Sequence, residues 1–267
     1  MKKLYFISDV HLGLYPYDKS REREKKVVRW LDSIKGDADE LFLVGDIFDF
    51  WHEHKRVVPK GFVRFFGKLA ELSDAGIKIH FFTGNHDVWA YRYLTEEVNA
   101  TIHTQPIEST YNNKKFLIGH GDGVGPGDRG YKLLKWAFTN KFLQWVFARL
   151  HPNFSMWLGT SWSKSSRYSK GIVAEGFVGA DKELQILYAN SVEEQNAHDY
   201  YIFGHRHIPW DLPLKGTGKA RIINLGDWIY SFTYGEFDGE NMHLKQFEGD
   251  GSVIRRDYTL KADSPTL

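Results

Sequence analysis

Five short polar clusters have the residue types for chemistry: Asp9-Val10-His11, Gly45-Asp46, Gly84-Asn85-His86-Asp87, Gly119-His120-Gly121-Asp122 and Gly204-His205-Arg206-His207. Asp, Asn and His supply the oxygen and nitrogen atoms that divalent cations accept, and the neighbouring glycines allow turns that a β-carbon would obstruct. One such cluster is weak evidence, because a lone histidine after a strand is usually a hydrogen-bonded loop residue and Gly-Asp is a common turn. Five in one chain point to a shared site. In Asp9-x-His11 and His205-x-His207, the two-residue spacing would bring both side chains to one side of an extended segment. Several imidazoles with few carboxylates suit manganese, iron, zinc or cobalt better than magnesium or calcium, which favour all-oxygen shells. The chain has no cysteine, which excludes thiolate metal sites, iron-sulfur clusters and disulfides. Its formal charge of +1 argues against broad nucleic-acid binding.

Each cluster follows a short apolar run, and ligands bind at strand ends in open α/β sheets. Strands are expected at Leu4 to Ile7, Leu41 to Val44 and Ile77 to Phe82, with helical patterns between them over 20 to 34 and 60 to 76. Strand alternating with helix is the α/β signature. From about residue 101 the pattern changes to hairpins, with Asn112-Asn113 as a turn, and the last fifty residues suggest strands separated by glycine-containing turns. The fold class is therefore α/β, or α+β, with a second, mostly β sheet. The 267 residues, 42% of them hydrophobic, are expected to form a single domain. The opening "MKKLYFISDV" has too short an apolar run for a signal peptide, and no stretch approaches ~18 uninterrupted apolar residues. A cytoplasmic protein is expected, free or bound at a membrane surface.

Taken in order, Asp9-x-His11, Gly45-Asp46, Gly84-Asn85-His86-Asp87, Gly119-His120 and Gly204-His205-x-His207 resemble the full motif set of the calcineurin-like metallophosphoesterases, over roughly residues 3 to 230 apart from a central insertion. The resemblance implies a four-layer αββα sandwich and two divalent ions. One would take Asp9, His11, Asp46 and His207. The other would take Asp46, Asn85, His120 and His205, with Asp46 bridging. Four positive charges against two carboxylates leave a positive site for phosphate, and ions roughly 3.5 to 4 Å apart can share and acidify an attacking water. By the same resemblance His86 contacts phosphate or protonates the leaving oxygen, and Asp87 orients its ring. Asp49 and Asp122 are candidate partners for the ligand histidines, or simple loop caps. Arg206 is expected to be structural or a rim contact. His52, His54, His80, His103, His151, His198 and His243 are assigned structural roles.

The insertion is the main clue to substrate. Residues 131 to 150, "YKLLKWAFTNKFLQWVFARL", form a helical segment whose apolar residues cover more than one stripe. It could pack on the sandwich and on a helix after residue 180, or serve as a cap with an apolar chamber or membrane-facing edge. The following "SWSKSSRYSK" could grip phosphate through Lys164, Arg167 and Lys170, or be a solvated loop. With a helical cap assigned to 129–198, the chain is most similar to the UDP-2,3-diacylglucosamine diphosphatases of lipid A biosynthesis. That resemblance rests on "SDVHLG", "GDIFDFW", "GNHD", "HGDGVGPGDRGYK", "GHRHIP" and "INLGDW". It implies a peripheral protein on the inner face of the cytoplasmic membrane that uses manganese. The reaction would attack the α-phosphorus of UDP-2,3-diacylglucosamine, releasing UMP and 2,3-diacylglucosamine 1-phosphate. Asn85, His86 and, in "GPGDRG", Asp128 would contact substrate. Well-known members carry Arg where this chain has His86, which keeps open a related phosphodiesterase or phosphatase acting on another nucleotide or phospholipid. A non-catalytic interaction module would have lost ligands, and none is missing. Oligomeric state is not legible in the sequence.

Overall fold

The computed structural model describes residues 2–125, 129–170, 176–215 and 219–258. The chain first alternates strand and helix: β1 (Lys3–Ile7), α1 (Tyr17–Ile34), β2 (Ala38–Val44), α2 (Val63–Asp74), β3 (Lys78–Phe82), α3 (Tyr93–Val98) and β4 (Thr101–His103). A hairpin, β5 (Ile107–Tyr111) and β6 (Lys114–Ile118), precedes four helices: α4 (Arg129–Thr139), α5 (Lys141–Phe147), α6 (Pro152–Lys170) and α7 (Leu184–Glu193). Strands close the chain: β7 (Tyr200–Phe203), β8 (Pro209–Pro213), β9 (Arg221–Leu225), β10 (Thr233–Phe237) and β11 (Met242–Gln246).

The first sheet has the order β11-β10-β1-β2-β3-β4, with β1 to β4 parallel; the second has the order β5-β6-β7-β9-β8, with β6, β7 and β9 parallel. Strand alternation sorts the side chains into three cores. Leu4, Phe6, Phe42 and Val44 meet Phe116, Ile118, Tyr200 and Ile202 between the sheets. Tyr5, Ile7, Leu41 and Leu43 face outward, against Val27, Trp30, Leu31 and Ile34 of α1 and Phe65, Leu69 and Leu72 of α2. On the far side Leu117, Tyr201 and Phe203 pack on Ile186 and Ala189 of α7. These layers are the expected αββα sandwich. The i, i+3, i+4, i+7 spacing of Val27, Trp30, Leu31 and Ile34 fixes the buried face of α1, and truncating fully buried Leu31 to Ala would cost about 2–5 kcal/mol.

Helix α2 begins later than its periodicity predicts because Phe62 takes φ +57. Asn112 and Asn113 form the expected hairpin turn, both with positive φ. The segment 131 to 150 is helical but divided: Asn140 Oδ1 accepts from the backbone N–H groups of Phe142 (3.0 Å) and Leu143 (3.2 Å), capping a new helix. Its inward contacts reach the rim of the sandwich, where the Phe147 and Phe138 rings lie 4.5 and 5.5 Å from that of Trp89. Leu133, Trp136, Phe142 and Trp145 stay exposed. The run 161 to 170 is not a loop; α6 continues through it to Lys170. Its buried face carries Ser155, Gly159 and Ser163 at four-residue spacing, and a β-carbon on Gly159 would lie 2.1 Å from the Phe50 ring. Small side chains let α6 approach closely, so the helix shows no strong apolar stripe in its sequence.

Candidate metal centre

Because β1, β2 and β3 run parallel, as do β6, β7 and β9, their C-terminal ends gather at one rim of the stacked sheets. Asp9, His11, Asp46, Asn85 and His86 follow strands of the first sheet, and His120, His205 and His207 follow strands of the second. Candidate ligand atoms of Asp9, His11 and His207 lie within 4.8 Å of one another, as do those of Asp46, His120 and His205, and those of His11, Asp46 and His86. Asp46 Oδ2 lies 3.8 Å from His11 Nε2 and 3.4 Å from His120 Nε2, between the first two groups. His207 Nε2 is 3.2 Å from Asp9 Oδ1 and 3.3 Å from His11 Nε2.

The local backbone differs from the extended geometry expected for the Asp-x-His and His-x-His pairs. Asp9, His11, Asp46, His205 and His207 all take positive φ, between 48° and 70°. Convergence comes from these left-handed turns, each costing about 1–3 kcal/mol and retained because the surroundings over-determine it. Backbone bonds supply part of that determination: Asp9 N–H donates to Gly45 O (3.0 Å) and His11 N–H to Asp46 O (3.0 Å). His205 N–H donates to Asp9 Oδ2 (2.8 Å), joining the two sheets. Gly45, at φ +83, is packed so tightly that a β-carbon would lie 2.4 Å from His120 Nδ1.

Second partners fix several rings. His120 Nδ1 lies 2.9 Å from Val44 O, a hydrogen-bond distance, and His207 Nδ1 lies 3.3 Å from Asp227 Oδ2. His11 Nδ1 is 3.6 Å from Asp49 Oδ1, and Asp49 Oδ2 accepts from Ser163 Oγ (3.1 Å). In His120 and His207, donation from Nδ1 turns Nε2 toward the site, the usual arrangement of a metal-binding imidazole. Sequence reasoning missed Asp227 and Ser163. Asp227 carries the same signal as Asp46, a Gly-Asp pair at the end of an apolar strand; Ser163 carries none.

Asp87 does not orient the His86 ring. Its fully buried carboxylate accepts from the backbone N–H groups of Gly84 (2.7 Å), Ile47 (2.8 Å) and Asp46 (3.3 Å), tying two strand-end loops together. The His86 ring is held instead at Nδ1, 2.8 Å from the Asp49 backbone carbonyl, while His86 N–H donates to Asp46 Oδ1 (2.9 Å). Asp122 accepts from Tyr131 Oη (2.7 Å) and pairs with Lys135 Nζ (2.7 Å), so it anchors α4. Arg206 pairs with Glu183 (3.0 Å), a structural role. Lys164 is exposed, its Nζ 4.6 Å from the centre of the Tyr15 ring. Asp128 lies outside the described residues, as do the side chains of Arg167 and Lys170.

Electrostatics show what the cluster needs. Burial works against ionisation of Asp46, yet His120, His86 and His11 hold its pKa well below the ordinary value. Burial likewise opposes a charged His207, but Asp9 and Asp227 outweigh it and raise the pKa to about 10. Burial, with His120 nearby, lowers that of His205 to about 4. The Asp9 and Asp46 carboxylates are thus held anionic and face buried imidazoles. Asp9 Oδ1, Asn85 Oδ1 and His120 Nε2 are buried with no hydrogen-bond partner among the described residues. Such atoms are costly unless something binds them, and their donor types fit divalent cations.

The family model of the calcineurin-like phosphoesterases matches residues 2–209. The chain belongs to this family. It is a metal-dependent phosphoester hydrolase, as membership and the donor set imply. Among curated relatives, the UDP-2,3-diacylglucosamine hydrolase of Porphyromonas gingivalis is 36% identical over 258 residues, covering 92% of this chain and 98% of that protein. The protein of the same name from Neisseria meningitidis serogroup A is 27% identical, covering 95% and 98%. Among solved structures, Yfce, a phosphoesterase from E. coli, aligns with a TM-score of 0.41 at 17% identity, covering 91% of this chain and 92% of that one.

Proposed function

We infer that the chain hydrolyses the diphosphate of UDP-2,3-diacylglucosamine, giving UMP and 2,3-diacylglucosamine 1-phosphate. Two divalent cations, manganese by resemblance, would be held by Asp9, His11, Asp46 and His207 and by Asp46, Asn85, His120 and His205. When bound, they supply positive charge to the phosphoryl oxygens and acidify a water for attack on phosphorus. The observation that carries this reading is Asp46 Oδ2 between His11 and His120, with donors from both sheets converging on it. The chain's own groups set the geometry. Val44 O and Asp227 fix the His120 and His207 rings. His86, held at Nδ1 by Asp49, meets a phosphate oxygen or the leaving oxygen with its ring edge.

The P. gingivalis relative's name supports the UDP-acylated sugar as substrate. So do the exposed Leu133, Trp136, Phe142, Trp145, Phe154 and Trp157 on the helices of the 129–198 insertion, which we assign as the cap. That face suits acyl chains and the cytoplasmic side of a membrane surface; no helix among the described residues is long and apolar enough to cross a membrane. A second reading, a phosphodiesterase on another nucleotide or phospholipid, is favoured by His86 in place of Arg. The test is a substrate panel with added manganese, comparing UDP-2,3-diacylglucosamine with aryl phosphodiesters and monoesters. UMP release from the lipid nucleotide is expected. Good turnover of simple esters without UMP release would overturn the lipid substrate and favour the second reading.

A further inference from the structure

Two histidines outside the metal motifs form a chain that ends at a cavity beside it. Glu40 Oε2 is 3.0 Å from His80 Nε2, and His80 Nδ1 is 3.0 Å from His103 Nε2. Lys78 Nζ (2.9 Å) and Tyr111 Oη (3.1 Å) also donate to Glu40. The two imidazoles stack, and each lies against a phenylalanine, Phe42 or Phe82. His103 lines a cavity of about 250 Å³ that is also lined by Thr104, Gln105, Lys135, Tyr188 and the candidate ligand His120. Whole-ligand sites span roughly 300–1,000 Å³, so this cavity is sized for one moiety of a larger substrate.

The chain of bonds fixes which atom His103 offers. Glu40 is held ionised: burial opposes this, but the bonds from His80, Lys78 and Tyr111 lower its pKa to about 2. A carboxylate only accepts, so a neutral His80 must donate from Nε2 and accept at Nδ1. His103 then donates from Nε2, leaving Nδ1 as an acceptor with no partner among the described residues. The other residues lining the cavity carry complementary chemistry: the amide of Gln105 and the hydroxyl of Thr104 are donor types, and Tyr188 brings an aromatic ring of the kind on which bases stack.

We propose that this cavity receives the uracil of a uridine nucleotide, with His103 accepting a hydrogen bond from the ring N3–H and Glu40 and His80 positioning it. The proposal rests on the nucleotide-sugar reading above. Uracil presents an N–H flanked by two carbonyls, which need the donors of Gln105 and Thr104; cytosine presents a bare nitrogen at the same place, so two acceptors would face each other. The base end thus lies on the His120 side, and the acyl end on the side of the apolar cap.

The test is calorimetric binding of UMP and CMP to the full chain with added manganese at pH 8, where ordinary imidazoles are neutral. The unmodified protein is expected to bind UMP at least about tenfold more tightly than CMP, and His103→Ala to bring the two within about twofold. Glu40→Gln provides a second readout even if His103→Ala fails to fold. An amide can donate to His80 Nε2, reversing the bonds down the chain and presenting N–H at His103; the UMP preference should collapse or invert toward CMP. Equal binding of UMP and CMP by the unmodified protein, no binding of UMP, or an unchanged ratio in both variants would overturn the proposal. Because binding needs no turnover, a failure of the lipid substrate reading shows separately, as absent UMP release with the base preference intact.

Discussion

Replacing Gln185 by Met tests whether α7 helps hold the loops of the candidate metal centre. Gln185 lies on α7 and is almost fully buried; its Nε2 donates to Gly204 O (2.8 Å), and its Oε1 accepts from Asn224 Nδ2 (2.8 Å). Asn224 Nδ2 also donates to Gly204 O, and Asn224 Oδ1 accepts from Gly226 N–H (3.0 Å). The network grips the carbonyl immediately before His205. Methionine has similar length but no amide. The variant loses one neutral hydrogen bond at Gly204 O, worth about 0.5–1.5 kcal/mol, and strands one buried N–H of Asn224, costing about 1–3 kcal/mol. The expected destabilisation is about 1.5–4.5 kcal/mol in urea unfolding. Manganese affinity should weaken by about tenfold or more, as for other residues that orient ligands from behind. Asn224→Ala removes the same network from its other end, so the double variant should fall short of additivity by at least about 0.5 kcal/mol. Additive losses, or a Gln185→Met loss below about 0.5 kcal/mol with unchanged manganese affinity, would refute the reasoning.

Three further outcomes follow from the site and its surroundings. Asp46→Asn should lower kcat by at least about 100-fold in the manganese-loaded protein, because it weakens both ligand groups at once; a near-normal rate would contradict the shared carboxylate. Gly45→Ala combines φ +83 with a 2.4 Å approach to His120 Nδ1, so urea unfolding should show a loss of about 2–4 kcal/mol together with weaker metal binding. Glu40 has its pKa lowered from 4.5 to about 2; its stabilisation, about 3 kcal/mol, is full above the unfolded value and is lost as pH falls through the folded one. The stability advantage over Glu40→Gln should therefore shrink by about 1.4 kcal/mol between pH 7 and pH 3.5, and an unchanged difference in urea unfolding would count against the network.

The donors of the candidate site are legible because each follows a strand and each motif carries its candidate ligand atoms within a few residues. Their backbone is not. The same-side argument for Asp9 and His11 assumes extended chain, whereas both residues take positive φ in turns tied by bonds to Gly45 and Asp46, partners distant in sequence. The Asp87 assignment failed for a related reason. Adjacency suggests His86 as its partner, but the carboxylate reaches four backbone N–H groups, three of them on the Asp46 loop. Residues 161 to 170 read as a loop because serine and lysine give little periodicity, and the packing partner that makes small residues useful, Phe50, lies more than a hundred positions away. The four layers were easier to recognise, since alternation along β1, β2, β6 and β7 assigns each side chain to a face regardless of its final neighbour.

Each principal ligand group draws members from both sheets: Asp9 and His11 with His207, and Asp46 with His120 and His205. Neither of these two candidate groups is complete on one sheet, so the distance across them is inherited from the distance between the sheets. That distance is maintained by the Phe6, Phe42 and Phe116 rings, with Phe6 stacked 4.6 Å from Phe42 and 6.3 Å from Phe116. The aromatic filling is therefore a ruler for the chemistry as well as a source of stability. Divergence in this family is constrained accordingly: a change in core volume that leaves every ligand in place can still put the reacting groups out of reach, so core and site must vary together.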